Sequence, residues 1–195
     1  MLRISVLVSG GGTNFQAVID SIEAGRIENA EIACVISSNP NAYALERGKN
    51  HGINTYVIDK NQYPDMADRT DAIIKTLKEE KTDLIVLAGY MSVLEPKLVK
   101  EFEKRIINIH PSLIPKYCGK GFYGHHVHEA VIAAGEKESG ATVHFVDEGV
   151  DTGDIIIQRK VEVLEGDTPD DLAARVLKVE HQILTEAINK VIADF

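Results

Sequence analysis

Through the first half of the chain, short stretches rich in Val, Ile and Leu alternate with segments of helical periodicity, and that alternation leaves few folds open. Strands buried on both faces read as nearly continuous apolar runs, so the pattern specifies a parallel sheet covered by crossover helices. It predicts strands over 2–9, 31–37, 54–58, 84–88 and 106–109, with helices over 14–24, 42–51 and 65–80 between them. Gly25 and Gly52 fall where the first two helices must stop. Glycine takes the left-handed conformation that ends a helix without steric cost.

The second half follows another rule. Segments 141–147 (ATVHFVD) and 154–163 (DIIIQRKVEV) read as strands, and the turn between them is too short for a crossover helix, which favours an antiparallel pair. The run Asp167-Thr168-Pro169-Asp170-Asp171 reads as a helix start, with proline in the first turn and acidic residues at the positive end of the dipole. A long helix then runs to Ala193. The expected fold class is α/β: a Rossmann-like, mostly parallel twisted sheet with helices on both faces and an antiparallel strand pair in the C-terminal half, in a single domain over residues 1–195. The segment 111–123, rich in Gly, Pro, Lys and aromatics, is too long for a plain connection, and such loops often carry function.

Charge narrows the partners. The 195 residues carry a formal net charge of −9, which disfavours binding to nucleic acid or an anionic membrane, because both need basic patches against phosphate. A phosphorylated small molecule held by backbone amides remains compatible. Cys34 and Cys118 form neither a zinc-ribbon set nor a disulfide framework. The opening apolar run is too short for a signal peptide, and the run from Leu84 to Leu94 is broken by Gly89, so a soluble cytoplasmic protein is expected.

Three segments could do chemistry. Ser9-Gly10-Gly11-Gly12-Thr13-Asn14 joins the first strand to a helix, where backbone N–H groups and the helix dipole favour a phosphate. Phe15 stands where a dinucleotide fingerprint needs glycine, and no Gly-Lys-Ser/Thr is present, so a monophosphate suits the turn better than NAD or a nucleoside triphosphate. In Asn108-Ile109-His110-Pro111-Ser112, alternation along the strand puts Asn108 and His110 on one side, pairing an amide donor for an oxyanion with a proton-moving imidazole. The turn from Asp147 to Asp154 lacks EF-hand spacing, and one of Asp147, Asp151 and Asp154 would face His110 and raise its pKa. His125, His126 and His128 lack metal-site spacing, so no metal is expected. Cys118 has no neighbour that specifies thiolate activation beyond Lys116 and Lys120.

Together, SGGGTNFQAVID, LAGYMSVL, NIHPSLIPKYCGKG, GATVHFVDEGVDTGDIIIQ and the late VEH resemble the phosphoribosylglycinamide formyltransferases over nearly the whole chain. NIHPSLIP and HFVD-x-x-x-D-x-G are shared with other enzymes that handle 10-formyltetrahydrofolate; the SGGGTN turn and the short length single out this family. The resemblance implies the formyltransferase fold and transfer of a formyl group from 10-formyltetrahydrofolate, as co-substrate, to the amine of glycinamide ribonucleotide. It implies catalytic roles for Asn108, His110 and Asp151, and ribonucleotide contacts for Gly12, Thr13, Asn14 and Glu180. Met91, Ser92, Val93 and Leu94, with Asp147, Glu148, Gly149 and Val150, would meet the folate, while Thr142 and His144 would support the site. Ser92 stands where many relatives have arginine, and Cys118 where proline is common. The rivals are a hydrolase passing the formyl group to water and a catalytically silent phosphate-binding module. No basic C-terminal extension for RNA is present, which disfavours a methionyl-tRNA formyltransferase.

Overall fold

The computed structural model describes residues 1–195. Seven strands are ordered β3-β2-β1-β4-β5-β6-β7, a mixed and mostly parallel sheet. The chain divides within β5 (Ile106–His110) into two compact units, Met1–Ile107 and Asn108–Phe195.

In the first unit, β1 (Leu2–Val8) pairs in parallel with β2 (Ala30–Ser37) and with β4 (Leu84–Leu87), and β2 pairs in parallel with β3 (Asn54–Val57). The helices α1 (Thr13–Glu23), α2 (Tyr43–Asn50) and α3 (Met66–Glu79) arise at the expected places. Ile4, Val6 and Val8 of β1 and Val35 and Ile36 of β2 are fully buried, as are Phe15 and Val18 of α1. Burial of such side chains contributes roughly 1.5–3 kcal/mol each. Gly25 and Gly52 take positive φ beyond the first two helices, as their positions demand. The Asp65 carboxylate caps α3 by accepting from the Ala67 and Asp68 amides. The sequence pattern missed α4 (Pro96–Glu101), a helix too short for periodicity to register.

In the second unit, β6 (Glu138–Phe145) and β7 (Ile155–Glu162) pair antiparallel, as the short turn requires. The loop after β5 ends at α5 (His125–Ala133), which begins on Gly124. The 24-residue α6 (Pro169–Ile192) starts with a capping box: the Thr168 hydroxyl accepts from the Asp171 amide and the Asp171 carboxylate accepts from the Thr168 amide. Its buried stripe, Leu172, Val176, Ile183, Leu184, Ala187 and Ile188, packs on β6, β7 and α5. No helix is long and apolar enough to cross a membrane.

Candidate active site

The second unit gathers side chains from three separate segments. Asn108 and His110 lie on β5, and His110 is only 5% exposed. Its Nε2–H donates to the Tyr117 carbonyl at 2.9 Å, while Nδ1 stands 3.7 Å from the Asp151 carboxylate. Asp151 reaches this position from a left-handed backbone, φ 56°, a conformation costly for a residue with a Cβ and common at functional sites. Of the other candidates in that turn, Asp147 has its carboxylate otherwise engaged and Asp154 is exposed. The Asp147 carboxylate accepts from the Gly149 amide at 3.0 Å and the Thr152 hydroxyl at 2.6 Å, and the Asp154 carbonyl accepts from the Phe145 amide. Gly153 makes the turn possible, since a Cβ there would lie 1.8 Å from the Phe145 carbonyl oxygen.

His144 of β6 completes the group. Its Nδ1–H donates to the Phe145 carbonyl at 2.8 Å, and its Nε2 lies 3.2 Å from Asn108 Nδ2 and 3.5 Å from Asp151 Oδ1. The Gly119 amide donates to the second oxygen of Asp151 at 3.0 Å. Thr142, fully buried, donates to the Ser112 carbonyl at 2.7 Å and accepts from the Ile114 amide and the Gln158 side chain, so β6 and β7 both tie down the loop that follows His110.

The electrostatics correct one expectation. Burial lowers the His110 pKa, and the Tyr117 carbonyl and Asp151, which pull it upward, do not overcome that; His144 lowers it further. The ring therefore rests neutral at pH 7, not as the imidazolium expected from a facing carboxylate. Burial opposes the charge of Asp151, but the groups around it, the donating Gly119 amide among them, outweigh it and hold the carboxyl below the usual range. Burial pushes the Cys118 thiol up, and Asp151 adds to that, which leaves Cys118 a poor nucleophile.

Elsewhere in this unit, Glu180 is 8% exposed and sits in the apolar stripe of α6, an acidic residue where packing alone would select Leu or Ile. Glu148, Gly149 and Val150 are exposed at the tip of the acidic turn. His125 pairs with Asp170, His126 pairs with Glu129, and burial pushes the His128 pKa down to about 4, helped by His125 and His110. No group of three or more His, Cys, Asp or Glu side chains has an arrangement that could hold a metal ion.

The first unit holds the glycine turn. Gly12 is the N-cap of α1 at φ 76°, and no side chain caps the helix, so its first amides face outward. A Cβ on Gly12 would lie 2.6 Å from the Ala44 Cβ, so this position needs glycine for both conformation and space. Thr13 and Asn14 open the helix, and the buried Asn14 Oδ1 has no hydrogen-bond partner. Ser9 ties this turn to the 91–94 segment, accepting from the Met91 amide at 2.8 Å. Ser92 bonds the Tyr90 hydroxyl, Leu94 is half-buried, and Met91 and Val93 are 51% and 68% exposed.

Sequence reasoning missed three contributors. Arg47 of α2 lies beside the glycine turn, donating to the Gly11 carbonyl at 2.7 Å and stacking over Tyr43. The Tyr43–Arg47 spacing on one helix face was legible, but its approach to Gly11 was not. The other two, the Tyr117 carbonyl and the Gly119 amide, are backbone groups that carry no side-chain signal.

The chain matches the Formyl transferase family over residues 2–188. It is 44% identical over 183 residues to the phosphoribosylglycinamide formyltransferase of Haemophilus influenzae, covering 94% of this chain and 84% of that one. It is 39% identical over 186 residues to the chloroplastic phosphoribosylglycinamide formyltransferase of Vigna unguiculata, covering 95% of this chain but spanning only 59% of that protein's length. Among solved structures, glycinamide ribonucleotide transformylase 1 from Symbiobacterium toebii superimposes with a TM-score of 0.92 at 42% identity, covering 99% of this chain and 89% of that one.

Proposed function

The chain belongs to the formyl transferase family, whose co-substrate is a formyl folate, and on that premise we propose that it moves the formyl group of 10-formyltetrahydrofolate to the amine of glycinamide ribonucleotide. The products are formylglycinamide ribonucleotide and tetrahydrofolate, a step of purine biosynthesis. The reading treats residues 1–195 as one formyltransferase domain in a soluble cytoplasmic enzyme, with no metal, nucleic acid or membrane as partner. It rests above all on the convergence of Asn108, His110 and Asp151, an amide donor, a buried imidazole and a carboxylate brought from separate segments.

Each group has a task that its surroundings suit. The ribonucleotide phosphate sits on the outward amides of Gly12, Thr13 and Asn14, while Glu180 accepts from ribonucleotide hydroxyls. The folate is assigned to Met91, Ser92, Val93 and Leu94 in the first unit and to Asp147, Glu148, Gly149 and Val150 in the second, among which Met91, Val93 and Val150 are exposed apolar side chains suited to an aromatic ring. His110 enters neutral and takes the proton that the glycinamide ammonium must lose before its nitrogen can attack. The resulting imidazolium is sustained by Asp151, and its positive charge, beside the hydrogen bond from an Asn108 N–H, stabilises the oxyanion formed when the amine adds to the formyl carbon. The attacking nitrogen then gives up a proton, the folate nitrogen gains one, the bond between that nitrogen and the formyl carbon breaks, and His110 returns its proton to solvent.

The test is a formyl-transfer assay run with and without glycinamide ribonucleotide. Formyl transfer that requires the ribonucleotide is expected; formate release at the same rate without it would make the protein a hydrolase instead.

A further inference from the structure

We propose that His144 is the positioning residue that fixes which way the Asn108 amide faces, an inference that deepens the reading of Asn108 as the oxyanion donor. The ring is 2% exposed and cannot rotate freely. Its Nδ1 faces the Phe145 carbonyl at 2.8 Å, and a ring nitrogen opposite a carbonyl must carry a proton. In the neutral ring, Nε2 is therefore an acceptor. It satisfies that need by taking one N–H of Asn108 at 3.2 Å, which fixes the amide nitrogen in place and leaves its second N–H for the reacting oxygen.

The same nitrogen also stands 3.5 Å from Asp151 Oδ1. One ring nitrogen cannot accept from an amide and donate to a carboxylate at once. If Nε2 carried a proton it would turn to Asp151, and Asn108 would have to present its carbonyl oxygen to the ring or leave it. His144 thus holds the oxyanion donor only in its Nδ1–H form. The two histidines flanking Asp151 divide the work: His110 moves the proton, and His144 orients the amide.

Imidazole ¹⁵N spectra of the native protein without substrate test the tautomer: a protonated Nδ1 and bare Nε2 at pH 7 are expected, and a protonated Nε2 would overturn the proposal. In parallel, His144→Phe removes the acceptor, whereas His144→Gln offers an amide oxygen where Nε2 stood. The Phe variant is expected to lose at least about tenfold in kcat, a share of the hundredfold or more that loss of an oxyanion donor costs, with KM for both substrates nearly unchanged. The Gln variant is expected to recover most of that loss. Equal losses in folded Phe and Gln variants, or losses confined to KM, would refute the positioning role. Absence of turnover in the native chain would instead refute the formyltransferase reading, and the ring spectra would then decide the tautomer alone.

Discussion

The Asp151 carboxylate stands 3.7 Å from Nδ1 of His110 while its own backbone lies in the left-handed region at φ 56°. The His110 ring is held from the opposite side by the Tyr117 carbonyl, so the imidazole is clamped between a fixed acceptor and a fixed charge. Such clamping lets a ring gain and lose a proton without changing place, as a proton carrier in a reacting site must.

Asn108→Ala and His110→Ala should each fold as the native chain does, since neither side chain contributes to an apolar cluster, and each should lose about a hundredfold or more in kcat. Circular dichroism and steady-state formyl transfer check both halves of this expectation. Turnover close to native in either variant would remove that residue from the mechanism.

Asp151→Asn deletes the charge that pulls the His110 pKa upward while leaving the burial that lowers it. The acid limb of the kcat/KM profile should therefore move to lower pH, together with a loss of rate at every pH. A limb that moves to higher pH would contradict the assigned electrostatics.

The acid sensitivity of the fold should be traceable in good part to His128. Its pKa is about 4 in the native state against 6.5 for an unburied imidazole, so the unfolded chain binds the extra proton across that window. Stability present above pH 6.5 is then lost as pH falls toward 4, by on the order of 3 kcal/mol at most. Urea midpoints of the native chain and of His128→Phe, taken between pH 7 and 4, should diverge in slope, the variant being flatter. The slope that remains in the variant belongs in part to His110, which burial lowers in the same direction.

Much of the architecture was legible because the physics is local. Parallel strands buried on both faces cannot hide their apolar runs, and Gly25 and Gly52 mark helix ends by a conformation other residues avoid. Asn108 and His110 were legible through strand alternation. The choice among the acids of the 147–154 turn was not legible from spacing, because it depends on which carboxylate the turn consumes; Asp147 is spent on Gly149 and Thr152. The neutral state of His110 was equally out of reach, since it reflects how much burial outweighs a facing charge. Arg47 meets the glycine turn across a crossover, a contact that no pattern within one element announces.

Thr168→Ala separates stability from chemistry. It removes the hydroxyl of the α6 capping box, which typically costs about 1 kcal/mol. Thermal unfolding should come at a lower temperature, while kcat and KM measured well below that transition stay as in the native chain.

The close approach of Gly12 and Ala44 has a consequence for residue 44 itself. A Cβ at 12 would leave only 2.6 Å to the Ala44 methyl, so the glycine turn and the opening of α2 occupy one shared slot. A bulkier side chain at 44, such as Leu, would press the turn out of shape without touching any ligand. On the proposed role of the glycine turn in holding the ribonucleotide phosphate, a screen for weakened capture should therefore return changes at this silent alanine beside those in the glycines, a defect transmitted by volume instead of by charge.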